Sequence, residues 1–225
     1  MPTIAALVPM RHHSERVPGK NYRPMAGKPL FHYILETLLA VPEITHVLVD
    51  TDSPIILNGV GERFPSVIAL ERPPHLRAGE IPMNEVLLHT TSQVEADWYL
   101  QTHSTNPLLK SSTISSAIQL LITHYPTYDS LFGVTRLQTR LWNGLTLPVN
   151  HNPNILLRTQ DLPPIFEENS CLYMFRRETL VQRRNRLGER PLMFEIDRNE
   201  AWDIDEELDF TIAEFLVKQT YPLNI

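Results

Sequence analysis

Two charged clusters, one near each end of the 225-residue chain, carry residue types that could do chemistry together. Within residues 10–30, Arg11, Arg16, Lys20, Arg23 and Lys28 stand against one acid, Glu15. Arginine offers phosphate oxygens a planar fork and lysine a compact point charge. Arg11, just past an apolar run, and Lys20, after Gly19, are therefore the candidates to hold a triphosphate. Asn21 can serve a base or ribose with its amide. Near the other end, residues 195–209 contain eight carboxylates and one arginine. In extended backbone, residues i and i+2 share a face, which sets Asp203 and Asp205 side by side with Ile204 turned inward. Two carboxylates suit Mg2+, which completes its shell with phosphate and water. The plainer alternative is an acidic helix start, with Asp205, Glu206 and Glu207 at the positive end of the last helix. Asp205 is able to do both.

Such groups need a scaffold, and hydrophobic periodicity describes one. Strands are expected over 4–8, 46–50, 66–70, 96–101, 130–135, 171–175 and 192–196. Helices are expected over 30–40, 54–63, 82–93, 111–124, 177–187 and 206–218. This alternation predicts βαβ units and a mainly parallel sheet with helices on both faces. In such sheets ligands bind beyond the carboxyl ends of the strands, where the loop after strand 4–8 would lie. The pattern breaks at 136–169, a stretch rich in proline and asparagine and too long for a plain loop in a compact domain. We read it as an extended arm that pairs with a second subunit. A disordered surface loop is the alternative, opposed by Leu141, Trp142, Leu145, Ile155, Leu156 and Leu157.

Composition bounds the function. A net charge of −6 with one concentrated basic loop points to a small anionic ligand and away from nucleic acid. No apolar run is long enough to span a membrane, and the short run at 4–8, followed by charge, does not read as a secretory signal. The lone cysteine, Cys171, forbids an internal disulfide and fits the reducing cytoplasm. Its apolar flanks make it a small buried residue rather than a nucleophile. His12 and His13, adjacent in sequence, would point apart in a strand and make a poor metal pair.

The order Pro9-x-Arg11-x-x-Ser14, then Gly19-Lys20-Asn21 and Gly27-Lys28-Pro29-Leu30, resembles the nucleotide-binding signature of the acylneuraminate (sialic acid) cytidylyltransferases, relatives of the KDO cytidylyltransferases. Trp202-Asp203-Ile204-Asp205 and Asp209 resemble the family's terminal Ile-Asp-Ile-Asp-x-x-x-Asp. Between them, Val49-Asp50-Thr51-Asp52, Arg72-Pro73-Pro74-His75-Leu76, Leu100-Gln101-Thr102 and Asn169-Ser170-Cys171-Leu172-Tyr173 are similar to further family segments. The resemblance spans nearly the whole of residues 1–225. It implies one domain with a three-layer, Rossmann-like nucleotide-diphospho-sugar transferase fold, a mixed, mostly parallel sheet, and 136–169 as a dimerisation arm. The implied enzyme is a homodimer that transfers CMP from CTP to a 2-keto sugar acid. Arg11, Ser14, Lys20, Asn21 and Arg72 would bind nucleotide, Gln101, Tyr173, Arg140 and Arg158 the sugar, and Asp203 and Asp205 the metal. Arg11, Lys20 and the two aspartates would form the catalytic set, with Arg140 and Arg158 reaching the partner's site. The chain departs from the family at His12, His13, Glu15 and Arg16, across 77–84, and at Lys110.

Other classes lack their motifs. There is no Gly-x-Gly-x-x-Gly and no P-loop, since Gly27-Lys28 is followed by Pro29. The Gly-Gly-x-Gly-Thr-Arg type loop of enzymes acting on sugar 1-phosphates is absent too. A KDO-type or other sugar nucleotidyltransferase and a non-catalytic nucleotide-binding homologue, the latter prompted by Glu15, remain the rivals.

Overall fold

A computed structural model describes residues 2–220. In chain order the elements are β1 (Ile4–Met10), β2 (Pro24–Met25), β3 (Lys28–Pro29), α1 (Leu30–Leu39), β4 (His46–Thr51), α2 (Pro54–Arg63), β5 (Val67–Glu71) and α3 (Met83–Thr90). They continue as β6 (Trp98–Thr102), α4 (Ser111–His124), β7 (Ser130–Leu137), β8 (Ile165–Phe175), α5 (Arg177–Arg183), β9 (Pro191–Glu195) and α6 (Glu207–Thr220). Seven strands form one sheet in the order β5-β4-β1-β6-β8-β7-β9. All neighbours are parallel except β6–β8 and β8–β7, so β8 alone runs against the rest. β2 and β3 form a separate small ribbon.

β1 lies between two parallel neighbours and every one of its residues is buried, which is why its sequence is a continuous apolar run rather than an alternation. Ala6 and Val8 face the core under α1, α2 and α4. Ala5 and Leu7 face the opposite layer with Leu87 of α3 and Leu180 of α5. A third cluster joins Val17 of the basic loop, Met25, Leu30, Ile204 and the inner face of α6. Through it the last helix fastens the loop after β1 to the segment that carries the aspartates. Ser53 caps α2, its Oγ accepting from Ile56 N at 3.4 Å, with Pro54 in the first turn.

Several boundaries depart from the periodicity. β8 starts at Ile165 rather than 171, and β7 runs to Leu137, so the ends of the 136–169 segment form an antiparallel pair. The strand signal was hidden by the charged run Glu167-Glu168-Asn169 and by a bulge, where the pairing shifts between Phe132 and Val134. Charged side chains are permitted there because 166–168 are exposed. The predicted helix 177–187 stops at Arg183, ended by Arg184 in the left-handed conformation (φ 52°).

The stretch between β7 and β8 is internally bonded. Asn150 accepts from Leu141 N at 2.9 Å and donates to Thr139 O at 2.7 Å, while the Gln138 amide reaches Thr159 O and Leu162 O. It is organised, unlike a featureless loop, yet Trp142, Leu145, Leu147, Val149, Ile155, Leu156 and Leu157 remain exposed, Leu156 at 90%.

Candidate active site

At the carboxyl end of β1 the chain turns into the basic loop and encloses a cavity of about 690 Å³. Arg11, Ser14 and Lys20 line it, with Asp52 from the end of β4, Arg77 from the 72–82 segment and His103 from the end of β6. Gly19, at φ +67°, opens the short 3-10 turn 20–22. A Cβ there would lie 2.9 Å from the Tyr22 ring, so the turn requires glycine. Asn21 is buried, and its amide is committed: Nδ2 donates to Arg11 O and Oδ1 accepts from Ser104 Oγ, both at 2.7 Å. It therefore bolts the loop to the exit of β6 while still lining the cavity.

Lys20 and the two aspartates meet across the chain. Lys20 Nζ donates to Ile204 O and lies 3.8 Å from Asp205 Oδ1, which also accepts from Arg16 Nη2 at 2.7 Å. Burial lowers the Lys20 pKa, with Asp203 and Asp205 opposing. Ile204 is buried between its two neighbours, as alternation predicts. Asp203 Oδ1 is buried without a hydrogen-bond partner, and burial pushes this carboxyl's pKa up. Such an orphan oxygen is costly unless something else satisfies it. Helix capping falls to Asp209 rather than Asp205: its Oδ2 accepts from Asp205 N and Glu206 N, at 3.1 and 2.8 Å. Asp205 is thereby left to face outward. A second cleft of about 420 Å³ adjoins the aspartates, lined also by Glu168, Ser170 and Trp202. Among the described residues, no group of three or more His, Cys, Asp or Glu side chains is arranged to hold a metal.

The two sugar-site candidates on the sheet face each other: Gln101 of β6 is paired with Tyr173 of β8. Arg186, which the sequence did not single out, joins them together with Glu168 and His103. Arg186 Nη1 donates to Gln101 Oε1, and its guanidinium lies 3.4 Å from the centroid of the Tyr173 ring. Tyr173 OH donates to Glu168. With Gln101 Oε1 fixed by Arg186, Gln101 Nε2 donates to His103 Nε2 at 2.8 Å. That bond requires a neutral imidazole, and burial together with the Arg186 and Lys20 charges lowers the His103 pKa to about 4. The bulge that shapes this wall depends on Gly133, where a Cβ would sit 2.7 Å from Asn169 Oδ1. Ser170 takes a left-handed φ of 58°.

Arg72 is not at the cleft surface. It is 1% exposed, with Nε on Asp50 Oδ1 and Nη2 on Asp50 O, and Asp50 Oδ2 accepts from Thr90 Oγ1 at 2.8 Å. Only its Nη1 lacks a partner. Arg140 and Arg158 also stand apart within one chain. Arg140 donates to Leu157 O and Arg158 pairs with Asp161 at 2.7 Å, both inside the arm. Glu15 is exposed at the cavity edge. Cys171 is fully buried and burial raises its thiol pKa, as expected of an inert core residue. His12 is stacked on Tyr22 and bonded to Ser53 Oγ at 2.8 Å.

A mixed sheet of this order, with a basic loop beyond its first strand and a carboxylate pair beside it, defines a nucleotidyltransferase fold. It is similar to that of a solved CMP:2-keto-3-deoxy-manno-octonic acid synthetase complexed with CTP: TM-score 0.70 and 17% identity, over 97% of this chain and all of the other. The sequence matches the cytidylyltransferase family over residues 5–221, and the chain belongs to that family. Among curated relatives it is 26% identical to the post-translational flagellin modification protein B of Campylobacter coli, over 97% of both chains. It is also 26% identical to the CMP-N,N'-diacetyllegionaminic acid synthase of Legionella pneumophila, over 96% of both. No helix among the described residues is long and apolar enough to cross a membrane.

Proposed function

We propose that this cytidylyltransferase transfers CMP from CTP to the anomeric hydroxyl of a nonulosonic 2-keto sugar acid, releasing pyrophosphate. The observation that carries the reading is the junction at Lys20 and Asp205, where a basic cavity adjoins an acidic cleft. The triphosphate would lie against Arg11, Arg16 and Lys20, and the sugar acid beside the wall that the buried Gln101 and Tyr173 build with His103 and Glu168. The sugar oxygen would attack the α-phosphorus in line, so the protein's work is positioning and charge neutralisation. Lys20, held by Ile204 O and Asp205, would meet charge building on the leaving pyrophosphate. No covalent nucleophile is called for, and the buried Cys171 supplies none.

The unsatisfied oxygen of Asp203 beside the outward Asp205 fits a divalent ion, and these two residues would hold Mg2+. The ion, when bound, would offset phosphate charge. The exposed apolar arm supports a homodimer in which a second copy covers Leu145 and Leu156 and brings Arg140 and Arg158 of each arm to its neighbour. The lone reduced cysteine and the use of CTP support a cytoplasmic enzyme.

The test is pyrophosphate release with CTP, ATP, GTP and UTP, plus magnesium, across nonulosonic acids and KDO. Release with CTP and one acid is expected, with Lys20→Ala and Asp203→Asn each slower by roughly 100-fold or more. Tight CTP binding with no release for any acid would sink the transfer reading and favour a non-catalytic homologue, for which Glu15 at the cavity edge is the structural motive. A one-chain mass in gel filtration would remove the dimer.

A further inference from the structure

Arg186 is a cation enclosed without an anion. No carboxylate oxygen lies within 4 Å of its guanidinium among the described residues, whereas Arg16, Arg23, Arg72, Arg77 and Arg158 each have one. Its neighbours are Tyr173, through both ring and hydroxyl, and one neutral amide oxygen. Glu168, the acid that influences it, is engaged by Tyr173 OH. Burial weighs against the charge here. Holding a guanidinium in such surroundings costs free energy unless an anion joins it.

The placement is built. The loop after α5 is fixed two residues on at Gly188, where a Cβ would meet Asp129 Oδ1 at 2.1 Å. Gly188 N donates to Ser130 Oγ at 2.8 Å, and Glu189 N and Arg190 N both donate to the Asp129 carboxylate. Leu187 N donates to Asn185 Oδ1 at 3.1 Å, folding a turn around Arg186 itself. The ring stacking and the bond to Gln101 hold the fork in one orientation, and a guanidinium so held suits a planar carboxylate. Through Gln101 the group connects to His103, which lines the large cavity, and through Tyr173 to Glu168, which lines the smaller cleft.

We propose that Arg186 grips the carboxylate of the acceptor sugar acid, and so selects an acid over a neutral sugar. This rests on the acceptor reading above. Arg186 is then a specificity-determining contact, with Gln101 and Tyr173 serving partly to aim it.

The experiment compares wild type, Arg186→Lys and Arg186→Met. Each is titrated with nonulosonic acids and KDO, and with their carboxamides, in the presence of a non-hydrolysable CTP analogue, and is then assayed for pyrophosphate release. Melting temperatures confirm folding. For Arg186→Met, the acid should bind roughly 10–100-fold more weakly, the CTP analogue should bind as in wild type, and the preference for acid over carboxamide should vanish. Arg186→Lys should keep part of that preference, since it retains the charge without the fork. Unchanged acid affinity, or an undiminished preference for acid in Arg186→Met, would overturn the proposal. So would a wild type that binds no acid of the panel. Binding of an acid without pyrophosphate release would overturn the transfer reading alone, and Arg186 would be judged on the binding comparison.

Discussion

Two arginines, one fully buried at the β5–β4 edge of the sheet and one half-buried against its middle strands, differ in what neutralises them. On the β4–β5 flank, Arg72 is matched by Asp50, whose other oxygen is taken by Thr90. Charge and hydrogen bonding are nearly closed, with only Nη1 left without a partner. Against β6 and β8, near the middle of the sheet, Arg186 rests on a ring and an amide with no carboxylate within 4 Å among the described residues. The first arrangement locks β5 to β4 and needs no ligand to be stable. The second leaves its charge unmatched, as a group that takes an anion would. A buried charge alone therefore says little about function; its balance of partners separates a brace from a binding group.

The largest expected effect tests the brace. Asp50→Ala strands Arg72 in the core and should cost about 3–5 kcal/mol of folding stability, read as a lowered midpoint in urea unfolding. A loss under 1 kcal/mol would mean that Arg72 is not held as described, and the contrast would collapse.

A smaller effect probes the wall between Arg186 and the cavity. His103 is held neutral in the folded chain, with a pKa of about 4 against 6.5 for the free side chain. Between these values the unfolded chain binds a proton that the folded chain does not. Stability should therefore fall as pH drops from about 6.5 towards 4. At pH 5 the loss is about 2 kcal/mol. Melting curves across that range should be flatter for His103→Gln; identical slopes would refute the forced neutrality.

The smallest change sharpens the comparison directly. Removing an unmatched cation relieves a desolvation cost, so Arg186→Met should leave stability unchanged or raise it by up to about 1 kcal/mol. A drop of several kcal/mol by the same unfolding assay would make Arg186 a brace like Arg72.

What was legible beforehand follows from distance along the chain. The loop 9–21 and the pair Asp203 and Asp205 are short contiguous segments, so residue types and spacing exposed them. The buried β1 announced itself as an unbroken apolar run. β8 was half missed because its outer residues are solvent-exposed and its bulge breaks the alternation. Arg186 was invisible: it stands in a run with Arg183 and Arg184, exposed side chains paired with Glu189 and Glu85, and nothing in the order of residues tells them apart. Its partner Gln101 lies 85 positions away.

By itself, then, the sequence determined the alternating α/β scaffold, the basic loop at the end of its first strand, and the i, i+2 aspartates flanking a core isoleucine. These follow from local periodicity and from charge, which neighbouring residues decide. The tertiary structure decided which charges are matched. It turned Arg72 inward onto Asp50, used Asn21 as a bolt, gave the helix cap to Asp209, and left Arg186 open above Tyr173. Pairing of buried charge is set by strand order and loop closure, and these bring together residues that the chain itself keeps far apart.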